Sequence, residues 1–106
     1  MRPARAAALA LLLAAPAAGA QPAVAPDDPA LIRNMTRLCL RAALSSGGVD
    51  RTTRTYCGCV APVLARHMTP ESRYRLAIQD DLGRRPEFDD PKAAYAEVVR
   101  ACPPAE

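Results

Sequence analysis

Residues 50–64 read Asp50-Arg51-Thr52-Thr53-Arg54-Thr55-Tyr56-Cys57-Gly58-Cys59-Val60-Ala61-Pro62-Val63-Leu64, and the two cysteines in the middle decide how the chain folds. Tyr56, Cys57, Val60, Leu64 and Met68 recur along one side at helical spacing. Asp50 or Thr52 is available as a cap, and the pattern ends at His67-Met68-Thr69. A helix is predicted here. Pro62 removes one backbone hydrogen bond and crowds the preceding turn, and Gly58 weakens the same region, so the helix is expected to be kinked or split near residues 58–62. Two residues along a helix turn through about 200°, which points the Cys57 and Cys59 side chains to nearly opposite sides. They are badly placed to bond to each other. Each can instead reach a different one of the two remaining cysteines, Cys39 and Cys102.

Those two partners lie in further helical patterns. Asp28-Pro29 sets a capping residue before a proline at the first helical position, and Leu31, Met35, Leu38 and Ala42 follow at helical spacing until Ser45-Ser46-Gly47-Gly48. This predicts a first helix over about 29–45, carrying Cys39. Thr69-Pro70-Glu71 repeats the cap-then-proline signal ahead of Tyr74, Ala77, Ile78 and Leu82, a third helix that ends before Gly83. Residues 83–89 read as a loop. Asp90-Pro91 then opens a last helix with Tyr95, Val98, Val99 and Cys102 on one face, stopped by Pro103-Pro104. No segment alternates with period two. The fold class expected is all-α, a small bundle of about four short helices cross-linked by two disulfides, with a core of Met35, Leu38, Val60, Leu64, Tyr74, Ile78, Leu82, Tyr95, Val98 and Val99. A hairpin about Gly47-Gly48 favours Cys39 with Cys57 and Cys59 with Cys102. The swapped pairing stays open, because one residue of register and the Pro62 kink decide it.

The chain opens Met1-Arg2-Pro3-Ala4-Arg5, runs apolar from Ala6 to Ala15, and reaches Ala18-Gly19-Ala20 before Gln21. A basic start, a short apolar run and a small-residue site form an export signal, with cleavage expected after Ala20. The apolar run is about half the ~20 residues needed to cross a bilayer, so the mature chain is expected to have no transmembrane segment. Gln21 stands where a lipoprotein needs cysteine, and no lipid anchor is expected. Residues 21–28 hold two prolines and no periodic face, which reads as a disordered or extended leader, and the helical domain is placed at 29–104. Removing Arg2 and Arg5 takes the 14 basic residues to 12 against 11 acidic, so the formal charge falls from +3 to +1. With that balance and few aromatic residues, nucleic acid is not an expected partner. The preference for Arg over Lys, with abundant Ala and Pro, suggests a GC-rich bacterial genome. A periplasmic or secreted location follows, and four cysteines in an exported domain of 86 residues read first as two structural disulfides.

Rival chemistry would use the same residues. Cys57-Gly58-Cys59 in a non-helical backbone could close a strained, redox-active ring, with Arg54 lowering a thiolate pKa. The same cysteines with His67 or Met68 could hold Cu(I) or zinc. The usual redox motif has two intervening residues within a βα unit and the spacing is not that of a zinc finger, so the structural assignment is preferred and no metal or cofactor is expected. His67 is the only histidine, and a place at a helix C-terminus explains it through the helix dipole. Asp80-Asp81 and Asp89-Asp90 fall at a helix end and at a cap. No nucleophile elbow, metalloprotease helix, haem-attachment motif or phosphate loop is present in the sequence. The expectation is a protein without enzymatic activity and with no catalytic residues. Arg33, Arg37 and Arg41 recur every four residues along the first helix, a basic stripe that is the best candidate for a surface binding a protein or envelope component. The alternative is an ordinary solvated face.

The elements Cys39, Tyr56-Cys57-Gly58-Cys59-Val60, Thr69-Pro70-Glu71 and Ala101-Cys102-Pro103 resemble a group of uncharacterised small exported bacterial helical proteins with a C, Y-C-x-C, C cysteine pattern. That resemblance covers most of the mature domain and implies a disulfide-bonded periplasmic fold with no activity attached. More distantly, the Ala/Val-rich last helix ending in cysteine and proline is similar to periplasmic immunity proteins of type VI secretion amidases.

Overall fold

Local capping chemistry sets where the helices begin. In the structure, a computed structural model describing residues 22–104, helix α1 spans Pro29–Ser45, α2 Arg51–His67, α3 Pro70–Ala77 and α4 Pro91–Ala101. The export signal at 1–20, with its cleavage site, lies outside the described residues. Asp28, Asp50, Thr69 and Asp90 are the four N-caps, and each side-chain oxygen accepts from a backbone N–H one turn on that would otherwise lack a partner. For α2 this settles the cap as Asp50, whose carboxylate accepts from Thr53 N at 2.7 Å. Between α1 and α2 the chain turns through Gly47 and Gly48, with φ of +132° and +127°, a backbone region that side chains rarely enter.

α2 runs unbroken through Pro62, so the split expected near residues 58–62 does not occur. Proline at 62 leaves the Gly58 carbonyl without its helical donor, but Gly58 is exposed and water can reach that oxygen. The turns on either side of Gly58 are also anchored. Cys57 is bonded to Cys39 of α1 and Cys59 to Cys102 at the end of α4, with Cα–Cα distances of 5.6 and 5.8 Å. The fold is thus all-α, four helices with α2 pinned between α1 and α4 by two disulfides. Among the described residues there is no strand, only an isolated antiparallel pairing of Met68 with Phe88.

The core has two parts joined at α2. Leu31 and Met35 of α1, Ala61, Ala65 and Met68, and Leu76 and Ala77 of α3 form the larger one. Val60 and Val63 with Val98 and Cys102 form the smaller, and Leu64 packs against both. Alanines at 61 and 65, almost fully buried, let the helices approach closely. Met35, Val60 and Val98 of the expected core are buried, and Leu38, Leu64, Tyr74 and Leu82 are half-buried against it. Three expected core residues are not: Ile78 is 54% exposed, Tyr95 71% and Val99 58%. α4 packs mainly on α2, through Ala94, Val98 and Cys102, and one main helix neighbour covers only a narrow stripe, leaving positions 95 and 99 about one-quarter turn away in solvent.

Ile78, the C-cap of α3 and still helical in its backbone, faces solvent, and α3 stops at Ala77, not at Leu82 as its apolar spacing predicts. Asn34, buried on α1, donates from Nδ2 to the Leu76 carbonyl at 2.7 Å and to Asp80 Oδ1 at 2.9 Å. It takes the carbonyl that residue 80 would use in a continuing helix, and Asp80 adopts the left-handed conformation with φ +50°. Residues 22–28 lack helix or strand, and within this extended segment Val24 is buried in the larger core and its carbonyl accepts from Arg73 Nε at 2.8 Å.

Candidate functional site

The four cysteines need the least argument. Cys57 and Cys59 sit on opposite sides of one helix and bond to different helices, so no Cys57 to Cys59 ring forms and no free cysteine is present among the described residues. All four sulfurs are spent on cross-links. Two disulfides in a protein this small are consistent with an oxidising compartment. The third donor proposed for a soft metal is also withdrawn: Met68 is fully buried, and His67 Nε2 lies 2.5 Å from Glu97 Oε1. Among the described residues no group of three or more His, Cys, Asp or Glu side chains could hold a metal ion.

His67 stands at the C-terminus of α2, as its sequence context implies, but its partner was not legible. Glu97, one turn from the end of α4, accepts from His67 and also from Arg66, whose guanidinium nitrogen lies 2.6 Å from Oε2. Those two hydrogen bonds, the one from His67 first, hold the Glu97 carboxyl below its ordinary range. The cluster ties α4 to the end of α2. Asp80 and Asp81 do not face a common site either: Asp80 accepts from Asn34, and Asp81 lies 3.9 Å from Arg84. Asp90 is the cap of α4, and Asp89 N donates to the His67 carbonyl.

Arg33, Arg37 and Arg41 are all exposed and share one face of α1, and among the described residues none of them has an acidic partner within ion-pair distance. The stripe is a real surface feature with its charge uncompensated. Its helix is held against α2 by the Cys39–Cys57 bridge on the opposite side, so the three guanidinium groups are carried by a fixed backbone.

A second surface was not anticipated from sequence. The 83–90 segment does not project as a free loop. Thr69 N donates to the Glu87 carbonyl at 3.0 Å, Asp89 N to the His67 carbonyl at 2.9 Å, and Glu87 N to the buried Ser72 hydroxyl at 3.0 Å. Arg75, itself buried, reaches Glu87 at 3.3 Å. These contacts lay Phe88 over α2 and leave a cleft of about 400 Å³ between the segment and α1, walled by Leu38, Val60, Leu64, Leu82 and Phe88. Arg84 and Arg85 also line it. A second cleft of about 290 Å³ shares Val60, Leu64 and Phe88 and continues toward Tyr56 and Tyr95 of α4. The exposed Tyr95 that had been placed in the core is thus a wall of this second cleft.

Among the described residues no helix is long and apolar enough to cross a membrane. Comparison of the chain with protein-family models, with curated proteins and with solved structures finds no match, so the residues themselves carry the functional argument.

Proposed function

We propose that this is an exported periplasmic binding protein without enzymatic activity, which engages a protein or envelope component through a rigid, disulfide-pinned helical surface. The observation that carries the reading is the double staple on α2: opposite sides of one turn of the helix, at Cys57 and Cys59, are bonded to two different neighbours. A surface whose helices cannot shift relative to one another loses little conformational entropy on binding. The uncompensated Arg33, Arg37 and Arg41 stripe and the apolar clefts give that scaffold something to bind with. An immunity-type inhibitor of a secreted amidase is one special case of this reading.

The rival is a thiol–disulfide or soft-metal protein using Cys57-Gly58-Cys59. It needs thiolates at both positions, and the long-range bridges speak against it. The test is direct. The exported, oxidised protein is assayed against thiol, peptidoglycan-peptide and glycan substrates, and against an immobilised acidic polypeptide at increasing salt. Absence of turnover, with saturable acidic-surface binding that weakens in R33E/R37E/R41E, is the expected result. Turnover that is lost in a folded Cys57→Ala or His67→Ala variant would overturn the reading.

A further inference from the structure

The two clefts that share Val60, Leu64 and Phe88 form one apolar floor, and the chemistry around it is uneven. Its walls are carbon almost throughout, and two consecutive arginines, Arg84 and Arg85, are among the residues that line the first cleft. Arg84 is exposed, and its acidic neighbour, Asp81, lies at 3.9 Å on the edge of ion-pair range. Arg85 has no ion-pair partner among the described residues. Both residues line the cleft beside Gly83 and Pro86, which puts two positive charges next to an apolar opening. An occupant complementary to this site is hydrocarbon over most of its length and anionic at one end. An extended peptide fits poorly, because its backbone N–H and C=O groups would enter a cleft whose floor offers them no partners.

We propose that the cleft binds a single-chain acyl carboxylate, with its tail along Leu38, Val60, Leu64 and Phe88 and its head group on Arg84 and Arg85. This rests on the binding-protein reading and names one ligand class for it. The volume falls in the range of small-molecule sites, about 300–1,000 Å³, and the apolar wall with a few charged groups at one end is their usual make-up. The head group gains charge-assisted hydrogen bonds, and guanidinium groups are suited to grip a carboxylate through two parallel N–H donors. The tail gains by leaving water. The second cleft gives it room to extend toward Tyr95 and predicts that affinity climbs with chain length before levelling off.

The experiment uses the exported, disulfide-bonded protein and decanoate, laurate, myristate and palmitate below their micellar concentrations, competing with a fluorescent acyl carboxylate. Affinity is expected to rise about fourfold for each added methylene until the floor is filled. Tetradecanol, of the same tail length as myristate but uncharged, is expected to bind about tenfold or more weakly than myristate. R84A/R85A, at exposed positions that leave the fold intact by circular dichroism, is expected to erase that preference while keeping tetradecanol binding. R33E/R37E on the far face of α1 should leave all of it unchanged, which separates the cleft from general attraction of anions. The proposal is overturned if no saturable binding is seen, if alcohol and carboxylate bind alike, or if R84A/R85A leaves the preference intact. It is also overturned if sedimentation shows a dimer that occupies the cleft and dissociates on Tyr95→Glu. Loss of acyl binding leaves the acidic-surface test of the arginine stripe standing, and turnover of a substrate would sink the binding-protein reading whatever the cleft holds.

Discussion

Asn34 is the polar residue on which the most structure depends. It is 1% exposed, and its amide nitrogen closes the end of α3 from a helix 42 residues earlier in the chain. Its Oδ1 is buried and has no partner among the described residues. Truncating it would leave the Leu76 carbonyl buried and unpaired and would release Asp80 from the left-handed conformation it adopts as acceptor. Asn34→Ala is expected to destabilise the protein by about 1–3 kcal/mol in urea unfolding. Asp80→Asn keeps an acceptor oxygen and tolerates φ +50°, and should be close to neutral, whereas Asp80→Ala loses the acceptor and strains the backbone. If Asp80→Asn cost as much as Asn34→Ala, the carboxylate charge and not the cap geometry would be what Asn34 recognises. No sequence pattern flags Asn34, since mid-helix asparagine is usually solvated and its partner lies far along the chain.

At the scale of elements, helix starts were readable and one helix end was not, for a physical reason. A start is specified within four residues by a capping oxygen and, at Pro29, Pro70 and Pro91, by a proline that forfeits nothing there. The end of α3 is specified by Asn34 across the fold, and the burial of α4 by its having α2 as its main neighbour, so apolar spacing alone overextended the first and widened the second. The Glu97 cluster shows the same limit: His67 was assigned to a helix end correctly, and the carboxylate that meets it comes from another helix. Since Glu97 titrates below its ordinary value of 4.5 in the folded protein, the unfolded chain binds more protons in the interval beneath that value. Its stabilising contribution is therefore full above the ordinary glutamate range and is lost as pH falls through the folded value. Glu97→Gln should flatten the acid limb of the melting temperature against pH, with little change in slope at neutral pH. An unchanged acid limb would mean that the Arg66 and His67 contacts do not persist in solution.

For the molecule as a whole, the cysteine spacing announced two long-range bridges, while the cleft remained hidden, because Gly83 to Asp89 reads as a solvated loop until its backbone is seen paired with residues 67–69. The two bridges also have unequal jobs. In the chain-entropy model a closed loop of 18 residues contributes about 3 kcal/mol and one of 43 about 4 kcal/mol, a difference too small to rank them. What ranks them is the packing each supports. Cys39–Cys57 joins α1 and α2, which share the larger core, and its removal should lower stability without dividing the molecule. Cys59–Cys102 secures α4, whose other ties include the stripe at Ala94 and Val98 and the half-buried ion pairs of Glu97. Hydrogen exchange on the paired variants separates the two roles. C39A/C57A is expected to lose protection evenly across α1, α2 and α3. C59A/C102A is expected to lose it first and most in residues 94–101, with Leu31, Ala61 and Ala65 still protected, and to weaken the second cleft at Tyr95 before the first. Equal loss across all four helices in C59A/C102A would show that α4 is integral to a single cooperative unit and that the larger core cannot stand without it.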